Sequence, residues 1–309
     1  MQEGSRKAIF AAFCANLGIA IAKFAAFLLT GAASMLAEAI HSLADTGNQG
    51  LLFLGGKRSK RPADDLHQFG HGRERYFWAF VVALVLFSLG AAFAVYEGVD
   101  KLIHPHELDD PTVAFVVLGI AVVLEGLSLR TAAREANPER RGRSWWHFIR
   151  TAKSPELPVV LLEDLGALVG LSFALLGITL SVVTDEPAFD AMGSIAIGLL
   201  LGVIATVLAI EMKSLLIGEA ASLEEQAAIR AAIVADPDVE HIVHLRTQHL
   251  GPEELLVAAK VDLGERSSHD LALAIDALEA RVRAAVPTAR VIYIEPDEYR
   301  PGEPDDDPV

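Results

Sequence analysis

Cysteine is nearly absent: Cys14 stands alone among 309 residues, so neither an intrachain disulfide nor a thiolate metal cluster can form. Aromatic residues are scarce at 7%, although 52% of the chain is hydrophobic and the mean hydropathy is +0.37. A soluble domain of this size rarely carries so much aliphatic surface, and bilayer burial is the simpler account. Basic residues are outnumbered, with 26 Lys and Arg against 41 Asp and Glu, giving a formal net charge of -15. That balance excludes a broad affinity for nucleic acid or anionic lipid. The acid concentrates toward the end of the chain, closing on Asp305, Asp306 and Asp307. A small-residue cleavage site is missing too. Arg6 and Lys7 precede an apolar run as they would in a signal peptide, but the run continues to Leu29 and is expected to be a retained span.

What the sequence does have is long apolar segments. A helix needs roughly 20 apolar residues to cross the hydrocarbon core. Stretches of that length cover 8–30, 34–56, 76–98, 111–133, 157–182 and 189–217. The loop after the second carries Lys57, Arg58, Lys60, Arg61, Arg73 and Arg75. The loop after the fourth carries Arg134, Arg140, Arg141, Arg143, Arg150 and Lys153. The opposite loops hold Asp100, Glu107, Asp109, Asp110, Asp185, Glu186 and Asp190, with Lys101 alone against them. Positive charge marks the cytoplasmic side, which puts both termini inside. Within the fourth loop, Trp145, Trp146 and Phe148 beside Arg143 and Arg150 suit an interfacial helix; a solvated basic linker is the alternative.

After Gly218 the pattern changes. Ser222 and Glu225 form a capping box opening a helix to about Val234. Strand-like runs follow at His241–His249 and Leu255–Leu263, split by Gly251-Pro252. Ser268 caps a second helix, Leu271–Val286, and Arg290–Glu295 reads as a third strand. The expected fold class is therefore an α-helical membrane protein with six transmembrane helices plus a small α+β (α-β-β-α-β) cytoplasmic domain. The domain bounds are 1–217 for the six-span part, 218–297 for the ferredoxin-like part, and 298–309 for an acidic tail expected to be disordered.

Charges deep in a span are costly, which makes them functional candidates. Span two holds Glu38, His41 and Asp45, and Asn48 one turn on. His41 and Asp45 are four apart, so they project from one face and can share a cation; a structural hydrogen-bonded pair is the alternative. Span five holds Glu163 and Asp164. Adjacent helical residues diverge by about 100°, so the two cannot aim at one centre. Asn16 and Lys23 in span one read as helix-packing residues, with snorkelling or pairing to an acid as the alternatives for Lys23. A second cluster lies in the loop after span two: Asp64, with His67 and His71 at +3 and +7, has the spacing of a compact N and O metal site. A solvated loop with incidental histidines is its alternative. Imidazole with carboxylate suits Zn²⁺, Mn²⁺, Fe²⁺ or Co²⁺.

The run Ala37-Glu-Ala-Ile-His-Ser-Leu-Ala-Asp45 and the loop Pro62-Ala-Asp-Asp-Leu-His-Gln-Phe-Gly-His-Gly72 resemble the cation diffusion facilitators, as do the six spans and the α-β-β-α-β tail. The resemblance covers roughly residues 6–297. It implies a homodimeric, proton-coupled exporter of divalent metal, Zn²⁺ first, in a multi-pass membrane setting (the inner membrane in a bacterium). It implies no enzymatic activity, no prosthetic group and no nucleic acid partner; the lipid bilayer, the cation and protons are what the chain meets. It also implies a transport site of His41, Asp45 and Asp164, with a departure at Val160, where the family usually has His or Asp. Glu163, Glu38, Asn48 or a water then completes the shell. The family position and the four-residue spacing from Val160 favour Asp164 as the inward group, leaving Glu163 to support it or handle protons. Asp64, His67 and His71 carry over as loop ligands. The tail's usual histidine positions are occupied by Val243 and Ala259, leaving His269 as its main candidate. The rival classes are a non-transporting membrane metal sensor or scaffold, and a membrane metallohydrolase, which needs three ligands and an open water position.

Overall fold

The structure is a computed structural model. It describes residues 3–31, 33–105 and 111–300, and within its helices the side chains of 3–12, 14, 15, 33, 34, 37, 38, 41 and 85–87 are outside the described set. The sequence divides into two compact units: the helices up to Arg58 and from Glu74 to Lys213, and Ser59–Arg73 with the chain from Ser214 onward. The loop 59–73 belongs with the tail domain.

The first unit is built from α1 (Glu3–Thr30), α2 (Ala33–Arg58), α3 (Glu74–Val81), a π-helical turn (Val82–Phe87), α4 (Ser88–Ile103), α5 (Pro111–Arg140), α6 (Trp145–Thr151), α7 (Glu156–Thr184) and α8 (Ala188–Ile217). Helix α3, the π turn and α4 make one continuous span, Glu74–Ile103. Among the described residues, four helices are long and apolar enough to cross a membrane: this span, α5, α7 and α8. Helix α1 contributes an apolar stretch over Asn16–Thr30. Helix α2, at 26 residues, is also long enough, but Asp45, Asn48 and Gln49 dilute its hydropathy. These polar groups are buried in the bundle, as the cost of exposing them to lipid requires. Gly31, in the left-handed region at φ 64, turns α1 back on α2.

Small residues let helices close up. A Cβ on Gly98 would meet the Ala191 carbonyl at 2.7 Å, and one on Gly198 would meet the Ala91 carbonyl at 2.8 Å, so α4 and α8 touch backbone to backbone. A buried ion pair, Lys101 Nζ to Asp190 Oδ2 at 2.8 Å, locks one end of this contact. Both residues read from sequence as loop charges, whereas the fold puts them inside helix termini. Arg75 donates to Glu156 in a two-pronged pair, its Nη2 lying 2.8 Å from Oε2, and joins the starts of α3 and α7. In α6, Phe148 packs on Ala132 and Ala136 of α5, while Trp146 stays exposed and Arg140 lies over the Trp145 ring at 4.4 Å.

In the second unit, α9 (Leu223–Val234) begins with the full capping box of Ser222 and Glu225. Strands β1 (His241–Gly251) and β2 (Glu254–Asp262) pair antiparallel, and β3 (Ala289–Pro296) adds parallel to β2, giving the order β1-β2-β3. Helix α10 (Ser268–Ala285) is capped by Ser267 rather than by Ser268, since the Ser267 side chain accepts from the Asp270 N–H. Alternate residues of β2 (Leu255, Val257, Ala259, Val261) point into a core shared with Ile229, Ile233, Leu278 and Val282. The acidic tail begins later than its composition implies. Asp297 N–H donates to Val261 O at 3.0 Å, Tyr299 N–H to Asp262 Oδ2 at 2.9 Å, and the Tyr299 ring stacks near His241. Residues 301–309, the rest of that tail, lie outside the described residues.

Candidate metal centres

Two clusters were expected, and the structure treats them differently. In the loop, Asp64 accepts the backbone N–H of His67 at 2.7 Å and of Leu66 at 3.0 Å, which folds the chain into a tight turn. That turn brings the imidazoles around the same carboxylate: His67 Nδ1 lies 3.1 Å from Oδ1 and His71 Nε2 lies 3.1 Å from Oδ2. The two rings are 4.4 Å apart at their centroids. Each residue offers a ligand atom within 4.8 Å of the others, and among the described residues this is the only such group of three or more. The His67 backbone N–H, then the His71 and His67 rings and the Leu66 N–H, lower the Asp64 carboxyl to about 2. The group is ionised at any physiological pH, as a ligand must be. The loop is also seated on its own unit: a Cβ on Gly72 would meet Leu250 O at 2.8 Å, and one on Gly251 would meet Gly72 Cα at 2.9 Å.

The intramembrane cluster lies where α2, α5 and α7 meet. Asp45, Asn48 and Gln49 occupy one face of α2, at spacings of three and four, and all are at most 5% exposed. Glu163 and Asp164 of α7 are each 1% exposed. They diverge as helix geometry demands, but in the sense opposite to the sequence expectation. Asp164 accepts a hydrogen bond from Ser128 of α5 at 3.0 Å and has Glu125 of α5 as its charged neighbour. Glu163 has Asp45 as its foremost charged neighbour, then Asp164 and Glu125, and it lies beside the Asn48 amide. Asp164 was expected to face span two, yet Glu163 does. The cause is the α5 contact: Val160, one turn before Asp164, packs against the cluster of Ala132, Ala136, Phe148 and Leu161 and commits that face of α7 to α5.

Both Glu163 oxygens and both Asn48 amide atoms are buried without a hydrogen-bond partner among the described residues. A buried carboxylate left so is expensive unless something compensates it, and a cation is the compensation its neighbours suit. No three of Asp45, Glu125, Glu163 and Asp164 bring ligand atoms within 4.8 Å of one another, so in this conformation the acids converge without closing on one point. The side chains of His41 and Glu38 lie outside the described residues.

Elsewhere the expectations shift modestly. Lys23 does not snorkel: it is 0% exposed and donates to Ser42 of α2 at 2.8 Å. Ala259 is a core residue, and His269 is in no three-residue ligand group among the described residues. Glu125 was missed by sequence reading, although an acid in the middle of the fourth apolar run carries the same signal as Glu163.

Residues 9–217 match the cation efflux transmembrane domain. The chain belongs to the cation diffusion facilitator family. The human mitochondrial proton-coupled zinc antiporter SLC30A9 is 33% identical over 266 residues, covering 85% of this chain and 47% of the relative. Metal tolerance protein C4 of Arabidopsis thaliana is 28% identical over 262 residues, covering 84% and 57%. Magnetosome protein MamB of Paramagnetospirillum magneticum is 24% identical over 284 residues, covering 92% and 90%. The chain spans about half the length of the first two. As a family member with several membrane-length apolar helices, it is an integral membrane protein of a transporter family.

Proposed function

We propose that this protein exports a divalent metal ion across a membrane in exchange for protons, with Zn²⁺ as the principal cargo. The observation that carries the reading is Glu163: a carboxylate 1% exposed, without a hydrogen-bond partner among the described residues, set beside Asp45 and Asn48 of the neighbouring helix. Asp45 and Glu163 supply charge, Asn48 supplies a neutral oxygen, and His41, on the same α2 face as Asp45, supplies the imidazole. Support for Zn²⁺ comes from that mixed N and O set and from the name of the human relative. Carboxylates bind metal when ionised and imidazole when neutral, so protons and metal compete for the same atoms. Protons entering from one side displace the ion, and opening of the bundle to alternate sides makes the exchange vectorial.

The loop group Asp64, His67 and His71 binds a second metal ion off this path. The basic residues of the loops after α2 and α5 support an orientation with these loops and both termini on the cytoplasmic side, in the inner membrane if the cell is bacterial. The working unit is a homodimer, as in the family. A non-transporting sensor is disfavoured by the tail, whose strand positions Val243 and Ala259 offer no ligand. Reconstitution into liposomes with a panel of Zn²⁺, Mn²⁺, Fe²⁺ and Co²⁺ under an imposed pH gradient tests the reading. Zn²⁺ flux dependent on the gradient and abolished by Asp45→Ala is expected. Wild-type flux from a well-folded Asp45→Ala protein would refute the site.

A further inference from the structure

Helix α1 carries a single charged side chain in its apolar stretch Asn16–Thr30, that of Lys23. The stretch has a distinct inner face: Asn16, Ile19, Ala20, Lys23, Ala26 and Thr30 are each at most 7% exposed, whereas Ile21, Phe24 and Leu28 are exposed. The buried positions recur at helical spacing, so Lys23 lies at the middle of the stripe turned to the bundle. Its side chain is 0% exposed and donates from Nζ to Ser42 Oγ of α2 at 2.8 Å. Ser42 is itself 1% exposed. It stands three residues before Asp45, and side chains at that spacing are neighbours about 5–6 Å apart on a helix, so the ammonium is held beside the α2 side of the metal position. A lysine that served only to reach lipid headgroups would run outward along its helix. One that served only to fill space would do so at lower cost without its charge.

We infer that Lys23 is a tethered counter-cation for the transported metal: its ammonium offsets part of the carboxylate charge when the metal has left, and opposes the metal when it is bound. This rests on the transporter reading above and adds to it a positioning residue on a helix that supplies no ligand. The argument is electrostatic. Asp45 and Glu163 are 2% and 1% exposed, so departure of a dication leaves buried carboxylates that only protons or another cation can compensate. A lysine on the neighbouring helix supplies one positive charge that stays with the protein. The same charge repels a dication close by, in a site where water screens little. Lys23 thereby lowers the affinity for the metal and eases its release, and the Ser42 hydroxyl fixes the ammonium one turn from Asp45.

The test uses the full chain in a His67→Ala, His71→Ala background, so that bound metal reports the intramembrane position. Zn²⁺ affinity is measured by competition with a chromophoric chelator, and Zn²⁺ flux in proteoliposomes gives KM and the maximal rate. Lys23→Met and Lys23→Gln both remove the charge; the glutamine keeps a donor for Ser42 and carries the test if the methionine variant does not fold. The neutral variants are expected to bind Zn²⁺ at least about tenfold more tightly, with KM lowered and the maximal rate reduced. Lys23→Arg, which keeps the charge, should stay within about threefold of the wild-type affinity. Truncating a residue that only packs would weaken binding or leave it alone, so the sign of the change separates the two roles. Unchanged or weakened Zn²⁺ binding in a folded neutral variant, or tightened binding in Lys23→Arg as well, overturns the inference when Asp45→Ala has lost binding in the same assay. Zn²⁺ binding retained by Asp45→Ala overturns the transport-site reading itself.

Discussion

Glu163→Gln isolates the reversed facing of α7. The amide keeps the shape and removes the charge, and the site around it is dry: Glu163 and Asp164 are each 1% exposed and Asp45 is 2% exposed. Water cannot replace the lost charge there. Removing one partner of a buried ionic interaction costs about 3–5 kcal/mol, because the remaining charge is left uncompensated. At roughly 1.4 kcal/mol per factor of ten, Zn²⁺ affinity should fall by about 100- to 3,000-fold. The comparison is Asp164→Asn, whose carboxylate is turned to Ser128 and Glu125 and lies outside the α2 position. Its effect on that affinity should be the smaller of the two, about 10- to 100-fold, the scale of a supporting residue. Chelator competition on detergent-solubilised protein lacking the loop histidines measures both. Glu163→Gln with wild-type affinity, beside an Asp164→Asn protein that no longer binds Zn²⁺, would refute the facing and restore the order suggested by residue spacing.

Four further outcomes follow from particular contacts. Removing His67 and His71 together should cost one bound metal per protomer by elemental analysis, with flux reduced only partly; unchanged stoichiometry would dismiss the loop site. The metal-free loop turn carries its own pH signature. Because the folded turn lowers Asp64 from 3.8 to about 2, the stabilisation is fully present above pH 4 and is lost as pH falls toward 2, which amide exchange at His67 and Leu66 should follow. Lys101→Met leaves Asp190, 0% exposed, without its ammonium and should cost about 3–5 kcal/mol in thermal stability, most of it recovered by adding Asp190→Leu. Val160→His, which from spacing alone would add an imidazole ligand, should instead disturb packing against Ala132 and Phe148 and leave ion preference unchanged in flux assays.

Much of this protein was legible in its residues because the bilayer and local hydrogen bonding impose strong rules. Hydropathy located the apolar helices, because a span must be apolar over a length set by the membrane, although α5 runs on past the expected end at 133 to Arg140. The Ser222–Glu225 capping box, the strand-like runs and the break at Gly251-Pro252 gave the tail's α-β-β-α-β order, because each acts over a few neighbouring residues. The loop cluster was also readable: Asp64, His67 and His71 lie within eight residues, and one turn of chain is enough to gather them. Contacts between distant segments were not. Which of Glu163 and Asp164 meets α2 depends on the rotation of α7, and that is fixed by Val160 packing on α5 rather than by any property of the two acids. Glu125 acquires its meaning only once α5 lies beside α7, and Lys101 and Asp190, 89 residues apart, become a buried pair only where glycines let α4 and α8 touch. Sequence determines which groups are too costly to leave in lipid; the packing of whole helices decides which of them share a cation.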